Sequence, residues 1–408
     1  MRIFGSWARL DSERVGQICC ELDNSVNNLE RAYRGTRSLT IDSPAIDWEQ
    51  SVVEGHGMHP WHKCRITIEG DYDRRIRQIA PAELNQVDAF PDAQVLAYTV
   101  IGRPQSSVRT VSLPGTNVDF CVKLPLAVKI TSIVRTIRPW AIAIGHRLES
   151  VLNVVEEAAR SFGGSLEVIR EPAAAASLSE HLGCIIRQST ESLAVQTGER
   201  VIVCAAVAEH IHEVWPEKTQ TLEGKLDLLR AFSMHLFRAV LASVFLHGFA
   251  LQAHMQNLLI RLDPESSEIR GFFVRDLGSF RVHRETFSAS TALSSTDLNS
   301  ETASWVITRS DSLEKVHRYI LSVVHGDVAS MVRALKLGMA GWRVAREELE
   351  RVIPVGNEFA LARRTWLEST ECIARAHLSM QLFGVESECT VTSIPNRFYY
   401  CQQWMDSD

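Results

Sequence analysis

The hydrophobic pattern of the chain changes near residue 215. Before that point, short runs of apolar and β-branched residues alternate with polar ones. "QVLAYTVIGR" at 94–103, "SSVRTVSLP" and "DFCVKLPLAVKI" predict neighbouring antiparallel strands, with a turn at "PGTN", 114–117. "GCIIRQ" at 183–188 and "RVIVCAAVAE" at 200–209 predict two further strands. Among them, "RLESVLNVVEEAARSFG" at 146–162 has helical spacing and runs into a Gly-Gly cap. After "VWPEKTQ", 214–220, the spacing becomes helical, and from Leu222 to about Leu262 the chain is almost all helix-forming. "IRGFFVRDLGSF", 269–280, reads as a strand leading into a turn at Gly278, and 312–335, 340–353 and 359–384 carry amphipathic helical periodicity. The expected fold is α+β, a mixed first half followed by a helix-rich second half.

Composition narrows the possibilities. The 408 residues exceed one small domain, and 45% hydrophobic with 23% charged residues is ordinary for a globular chain. A net charge of −6 points to no nucleic-acid or anionic-membrane partner, so any anion site must be local. The nine cysteines show no CxxC pair, and only Cys19 and Cys20 adjoin, which argues against a disulfide framework or zinc ribbon. No secretory signal opens the sequence and no charge-free apolar run reaches ~18 residues, so the expected location is the cytoplasm, with no membrane partner.

Three stretches carry candidate chemistry. In "QAHMQN", His254 and Asn257 are three apart on an expected helix or helix end, and Asp276 sits where a strand runs out in "FFVRDLG". An Asn and a strand-end Asp suit Mg2+ held against nucleotide phosphates, because that ion takes a few hard oxygen ligands. A core histidine and a capping amide explain the same residues. In "SSVRT", Ser107 and Arg109 are two apart on an expected strand and share a face; Lys123 lies on the next strand, and Arg135 follows. Together they would focus an anion pocket, although charge clusters are commonly solvated faces; the apolar setting of Lys123 in "FCVKLPLAV" argues for the pocket. "EGHGMHPWHKCR", 54–65, offers His56, His59, His62 and Cys64, but Pro60 breaks any helix and the spacing fits no zinc-finger pairing.

In this order the motifs resemble the NRPS-independent siderophore synthetases of the IucA/IucC-like type. The G-H-P-x-H-P-x-x-K block reads Gly55-His56-Gly57-Met58-His59-Pro60-Trp61-His62-Lys63, with Gly57 in place of proline. S-x-R-T is Ser107 to Thr110, "KLPLAVKITSIVR" supplies Lys123 and Arg135, H-x-Q-N is His254 to Asn257, and R-D-x-G is Arg275 to Gly278. Gln252 stands where a glutamate often precedes H-x-Q-N, and Arg375 replaces the lysine of a C-terminal K-A-x-L block.

The resemblance implies a cupped hand: a truncated thumb over 1–45, fingers over 46–215 and a palm over 216–408. It implies ATP-dependent adenylation of a carboxylic acid such as citrate, then condensation with an amine or alcohol, releasing pyrophosphate and AMP. Ser107, Arg109, Thr110, Lys123, Arg135 and His254 would surround ATP, with Lys123, Arg135 and His254 catalytic. Asn257 and Asp276 would hold Mg2+; His56, His59, Lys63, Arg135 and Arg375 would face the acid. The family pattern also allows a homodimer. Two alternatives stand beside it: a small-molecule kinase, suggested by "HMQN" before "RDLG", and a non-catalytic ATP-binding member of the fold.

Overall fold

A computed structural model of the chain describes residues 10–35, 38–55, 61–67, 100–113, 119–130, 133–137, 148–176, 183–276, 280–291, 307–309, 312–383 and 390–403. Its core is built around the helix Leu222–His247, which starts where Thr221 accepts the Gly224 N–H. Phe232, Leu236, Phe237 and Val240 on this helix are each at most 1% exposed. It packs against the helices Glu149–Ser161 and Gly338–Val352 and against a sheet. By length and composition it would suffice to cross a membrane, yet 67% of its apolar window is buried inside the protein, as in a core helix.

The helix-forming stretch expected to run to about Leu262 is broken at Gly248. That residue takes φ +59 and returns its N–H to the Ser243 and Val244 carbonyls, closing the helix. The chain then forms β11 (Phe249–Leu251), a turn, and β12 (Leu258–Leu262). Cross-strand partners outweigh the helical propensity of "ALQAHMQNLLIRL" here. β12 pairs antiparallel with β10 (Arg200–Val203) and β13 (Ile269–Val274), and β13 pairs parallel with β7 (Leu166–Val168). Phe272 of β13 meets Phe232 of the central helix edge-on, with ring centroids 5.8 Å apart. β7 and β10 come from before residue 215 and β12 and β13 from after it, so this sheet joins the two halves.

A second antiparallel sheet runs in the order β2 (Arg103–Pro104), β3 (Thr110–Ser112), β4 (Phe120–Lys123), β9 (Gly183–Gln188), β8 (Ala173–Ala176). Smaller sheets comprise β1 (Arg65–Thr67), β5 (Leu126–Ile130) and β6 (Ile133–Arg135), and β11 with β14 (Phe280–Val282) and β15 (Ile307–Arg309). The strand expected at 94–103 lies outside the described residues up to 99, and the turn at 114–117 and Gly278 lie outside them altogether. The strand expected over 200–209 stops at Val203, where its pairing with Leu259 ends, and the alanine-rich Cys204–Glu209 coils into a helix.

The helix expected over 359–384 is also broken. A π-turn, Arg364–Glu368, leads into β16 (Glu371–Arg375), which pairs with β17 (Val391–Pro395) before the helix His377–Phe383. Buried Asn396 donates through Nδ2 to the Trp366 and Ser369 carbonyls, both at 2.9 Å. It thereby takes up acceptors that a continuing helix would have satisfied. The helices expected at 146–162, 312–335 and 340–353 form as Glu149–Ser161, Leu313–Leu335 and Gly338–Val352.

One buried ion pair fastens the short helix Ala45–Ser51 to the end of β13. Arg275 engages both carboxylate oxygens of Glu49, at 3.2 Å for Nη2 to Oε2. It also donates to Gln105 Oε1 at 3.2 Å and the Gln256 carbonyl at 2.9 Å. Glu49 Oε2 accepts the Ser106 N–H at 3.0 Å. Burial alone would raise the Glu49 pKa, but Arg275 and the Ser106 donors outweigh it and hold the carboxyl below its ordinary value. Glu49→Leu, which strands the guanidinium in the core, should therefore cost about 3–5 kcal/mol in denaturant unfolding. The wild-type contribution should be complete above the ordinary glutamate range and fade as pH falls through the lowered pKa, a dependence the variant lacks.

Candidate active site

Strand pleating puts the first three groups of the site on one face. Thr110 pairs with Lys123 across β3 and β4, and Arg187 lies opposite Cys121 on β9, so Thr110, Lys123 and Arg187 share a side of the sheet. The expected strand through Ser107 and Arg109 is instead a tight turn. Val108 sits at φ +67, and the turn closes by Val108 N–H to Gln105 carbonyl and Gln105 N–H to Thr110 carbonyl, each 2.8 Å. Ser107 Oγ accepts the Thr110 N–H at 3.3 Å, and Arg109 donates through Nη1 to the Thr136 carbonyl at 3.0 Å.

The second wall is the open end of the β12–β13 pair. Leu258 is in register with Val274, and the Arg275 N–H continues the ladder to the Asn257 carbonyl at 3.0 Å. Asn257 and Asp276, nineteen positions apart in the chain, are thereby brought together. Asp276 adopts φ +68, a conformation that Asp tolerates better than most side chains. His254 and Asn257 lie in the turn before β12, not on a helix, because the helix ends at His247. His254 is half-buried beside the cleft but is absent from its lining.

The third wall is the segment around Lys63. Glu209 accepts the main-chain N–H groups of Val53 at 2.6 Å, Glu54 at 2.9 Å and Gly55 at 2.8 Å, fixing the chain that leads into the histidine-rich stretch. On its far side the helix Ser12–Arg34 presents Asn24, Ser25 and Asn28. Asn24 Oδ1 accepts the Arg65 N–H at 2.7 Å, Ser25 Oγ the Lys63 N–H at 3.3 Å, and Asn28 donates to the Lys63 carbonyl at 3.0 Å. His56 and His59 fall outside the described residues. Cys64 is buried in an apolar cluster with Ile18, Trp61 and Leu382. Arg375 is exposed at the end of β16 and does not line the cleft.

These walls border an open cleft of about 800 Å³, counting the solvent space at its mouth. Among the described residues seven cationic side chains line it (Lys63, Arg65, Arg109, Lys123, Arg135, Arg187 and Arg275) against the two carboxylates Glu54 and Asp276. Burial pushes Arg65 and Arg135 down to about 10 and Lys63 down to about 8, and neighbouring guanidinium groups add to the effect at Arg135 and Lys63. Burial also lowers Lys123, opposed by Asp276, whose Oδ1 is 2.9 Å from the ammonium. Burial opposes ionisation of Asp276 as well, but Lys123, Arg187 and Arg109 hold its carboxyl well below the usual range. Reading the sequence missed Arg65 and Arg187. The signal for Arg187 was the one used for Lys123: a charge inside an apolar strand, here buried beside Glu171 at 2.6 Å.

The donor set suits a polyanion. Asn257 gives its Nδ2 to the Gln252 carbonyl at 3.0 Å, leaving Oδ1 as the group for a cation, and Asp276 supplies a carboxylate. Among the described residues no three His, Cys, Asp or Glu side chains form a metal cluster. Magnesium held together with phosphates does not require one, since one or two protein oxygens suffice.

Residues 95–209 match the model of the IucA / IucC family, and 226–386 match that of the ferric iron reductase FhuF-like transporter. The NRPS-independent siderophore synthetase-like protein ankE of Aspergillus thermomutatus is 26% identical over 83% of this chain and 67% of its own length. The NRPS-independent siderophore synthetase rfs of Rhizopus delemar is 24% identical over 95% of this chain and 71% of its own. Among solved structures, ATP-bound aerobactin synthetase IucA from Klebsiella pneumoniae superposes with a TM-score of 0.74 at 13% identity, covering 97% of this chain and 85% of that one. The petrobactin biosynthesis protein AsbB of Bacillus anthracis gives 0.72 at 15% identity, covering 97% and 81%. The fold is the α+β fold of these synthetases, and over residues 95–209 the chain is similar to the IucA / IucC family that its sequence blocks resemble.

If the Lys63 charge helps to hold a polyanion, affinity for a tricarboxylate should fall as pH rises through about 8, where the lysine loses its proton in the empty cleft. Lys63→Arg should remove that fall. Calorimetric titration of the two proteins between neutral and alkaline pH measures the difference.

Proposed function

We propose that this protein is an ATP-dependent synthetase that activates a di- or tricarboxylic acid as an acyl-adenylate and transfers the acyl group to an amine or alcohol. The product class would be a siderophore or related secondary metabolite. The observation that carries the reading is the convergence of seven cations on one cleft of a chain whose net charge is −6. That arrangement neutralises crowded phosphate and carboxylate oxygens while an attack on the α-phosphorus is lined up. The siderophore synthetases among its relatives support the same reading.

In this proposal Ser107, Arg109, Thr110, Lys123 and Arg135 hold the triphosphate, with His254 behind them. Asn257 and Asp276 hold Mg2+, which when bound neutralises phosphate charge. Lys123, now paired with Asp276, turns to the phosphates as the ligand enters. Lys63 and Arg135, with His56 and His59, take the carboxylates of the acid. An acid oxygen attacks the α-phosphorus and pyrophosphate leaves; the amine or alcohol then attacks the acyl carbon, gives up its proton, and AMP leaves. Electrostatic attraction and hydrogen bonds from the guanidinium and ammonium groups stabilise the negative charge in both transition states.

The test follows pyrophosphate, AMP and ADP from MgATP across a panel of carboxylic acids, with hydroxylamine as nucleophile. Pyrophosphate and AMP that depend on one acid are expected; ADP would point to the kinase reading, and ATP binding without turnover to a non-catalytic member. Lys123→Ala and Arg135→Ala should abolish acid-dependent pyrophosphate release while leaving circular dichroism unchanged. Near-normal turnover in either would remove that residue from the chemistry.

A further inference from the structure

The turn carrying His254, Gln256 and Asn257 rests on a carboxyl group that the proposed chemistry does not use. Asp327 lies within the helix Leu313–Leu335 and is 1% exposed. Its Oδ1 accepts the Met255 N–H at 3.0 Å, while the Met255 carbonyl accepts the Ala205 N–H at 2.9 Å. Both main-chain polar groups of Met255 are thus anchored, one by a side chain and one by the start of the helix Cys204–Glu209. The Asn257 and Leu258 N–H groups return to the His254 carbonyl at 2.7 and 3.0 Å, so the turn beyond that anchor is tight.

Asp327 is an expensive way to make one hydrogen bond. Its Oδ2 is buried with no hydrogen-bond partner among the described residues. Burial raises its carboxyl well above the ordinary range, offset only in part by the Met255 N–H. An apolar residue at this point of the helix would spare that cost but would orphan the Met255 amide. The group therefore does something for the turn that packing alone does not.

We propose that Asp327 is a positioning residue of the cleft: its bond to Met255 sets the place of Gln256 and Asn257 at the nucleotide end without itself touching substrate. This rests on the reading of the cleft as a nucleotide site. The Glu209 tether leaves the same short helix whose first turn holds Met255, so the support spans two walls of the cleft.

The experiment measures KM for MgATP, KM for the acid and kcat in Asp327→Ala and Asp327→Asn. Asparagine keeps an oxygen acceptor for the Met255 N–H and should stay near wild type. Alanine leaves that amide unpaired and should raise KM for MgATP about tenfold, with KM for the acid nearly unchanged. An unchanged KM for MgATP in Asp327→Ala overturns the proposal. Should that variant not fold, Asp327→Glu, which displaces the acceptor by one methylene, reads the same split; failure of both to fold makes Asp327 a residue of stability only and also overturns it. If the wild type does not bind MgATP, the nucleotide reading fails by itself. Amide exchange then decides: acceleration confined to Met255–Asn257 in Asp327→Ala supports positioning, and unchanged exchange there overturns it.

Discussion

The contact on which the site depends is the buried bond between Glu49 and Arg275. Neither group is tolerable alone in the core, since a lone charge there costs several kcal/mol. Satisfying the guanidinium requires Glu49 from the helix Ala45–Ser51, Gln105 from the turn before β3, and the Gln256 carbonyl from the turn before β12. Gln105 and Gln256 belong to two walls of the cleft, and the helix Ala45–Ser51 runs into the Val53–Gly55 segment of the third. The arginine therefore acts as a rivet: its hydrogen-bonding demand can be met only when the segments stand in one mutual arrangement.

Around that rivet the charges are poised rather than relaxed. Lys63, Arg65, Arg109 and Arg135 are all pushed below their ordinary pKa by burial, and several repel one another. A protein that only needed stability would not gather them. Such a set costs free energy in the empty cleft, and an anion of the kind proposed would return it on entering. Asp276, held among Lys123, Arg187 and Arg109, keeps the face together until then.

Much of this was legible in the chain. Lys123 stood out because an ammonium interrupts "FCVKLPLAV", and the strand that carries it forms as expected. Asn257 and Asp276 were joined by motif, and the β12–β13 ladder supplies the physical link. The setting of His254 and Asn257 was misread, since nothing local in "FLHGFALQAHMQN" distinguishes an interior glycine from a left-handed cap at Gly248. Arg275 was recognised as part of a block but not as the junction, because its partner Glu49 is 226 positions away and only tertiary structure pairs them. Asn24, Ser25 and Asn28 were invisible for the same reason: short polar residues on an exposed-looking helix have no signature until the segment they hold is in place.

The tether at Glu209 has a consequence for how such a site can change. Its carboxylate grips the peptide N–H groups of Val53, Glu54 and Gly55, not their side chains. Any residue with an amide hydrogen satisfies it, apart from the demand that φ +55 makes at Gly55. Glu54, which meets Tyr33 and Arg333 at the mouth of the cleft, can therefore be exchanged without loosening the loop. Attachment is encoded in the main chain of these three residues and the contacts with Tyr33 and Arg333 in a side chain, so the second can drift through sequence space while the first stands still.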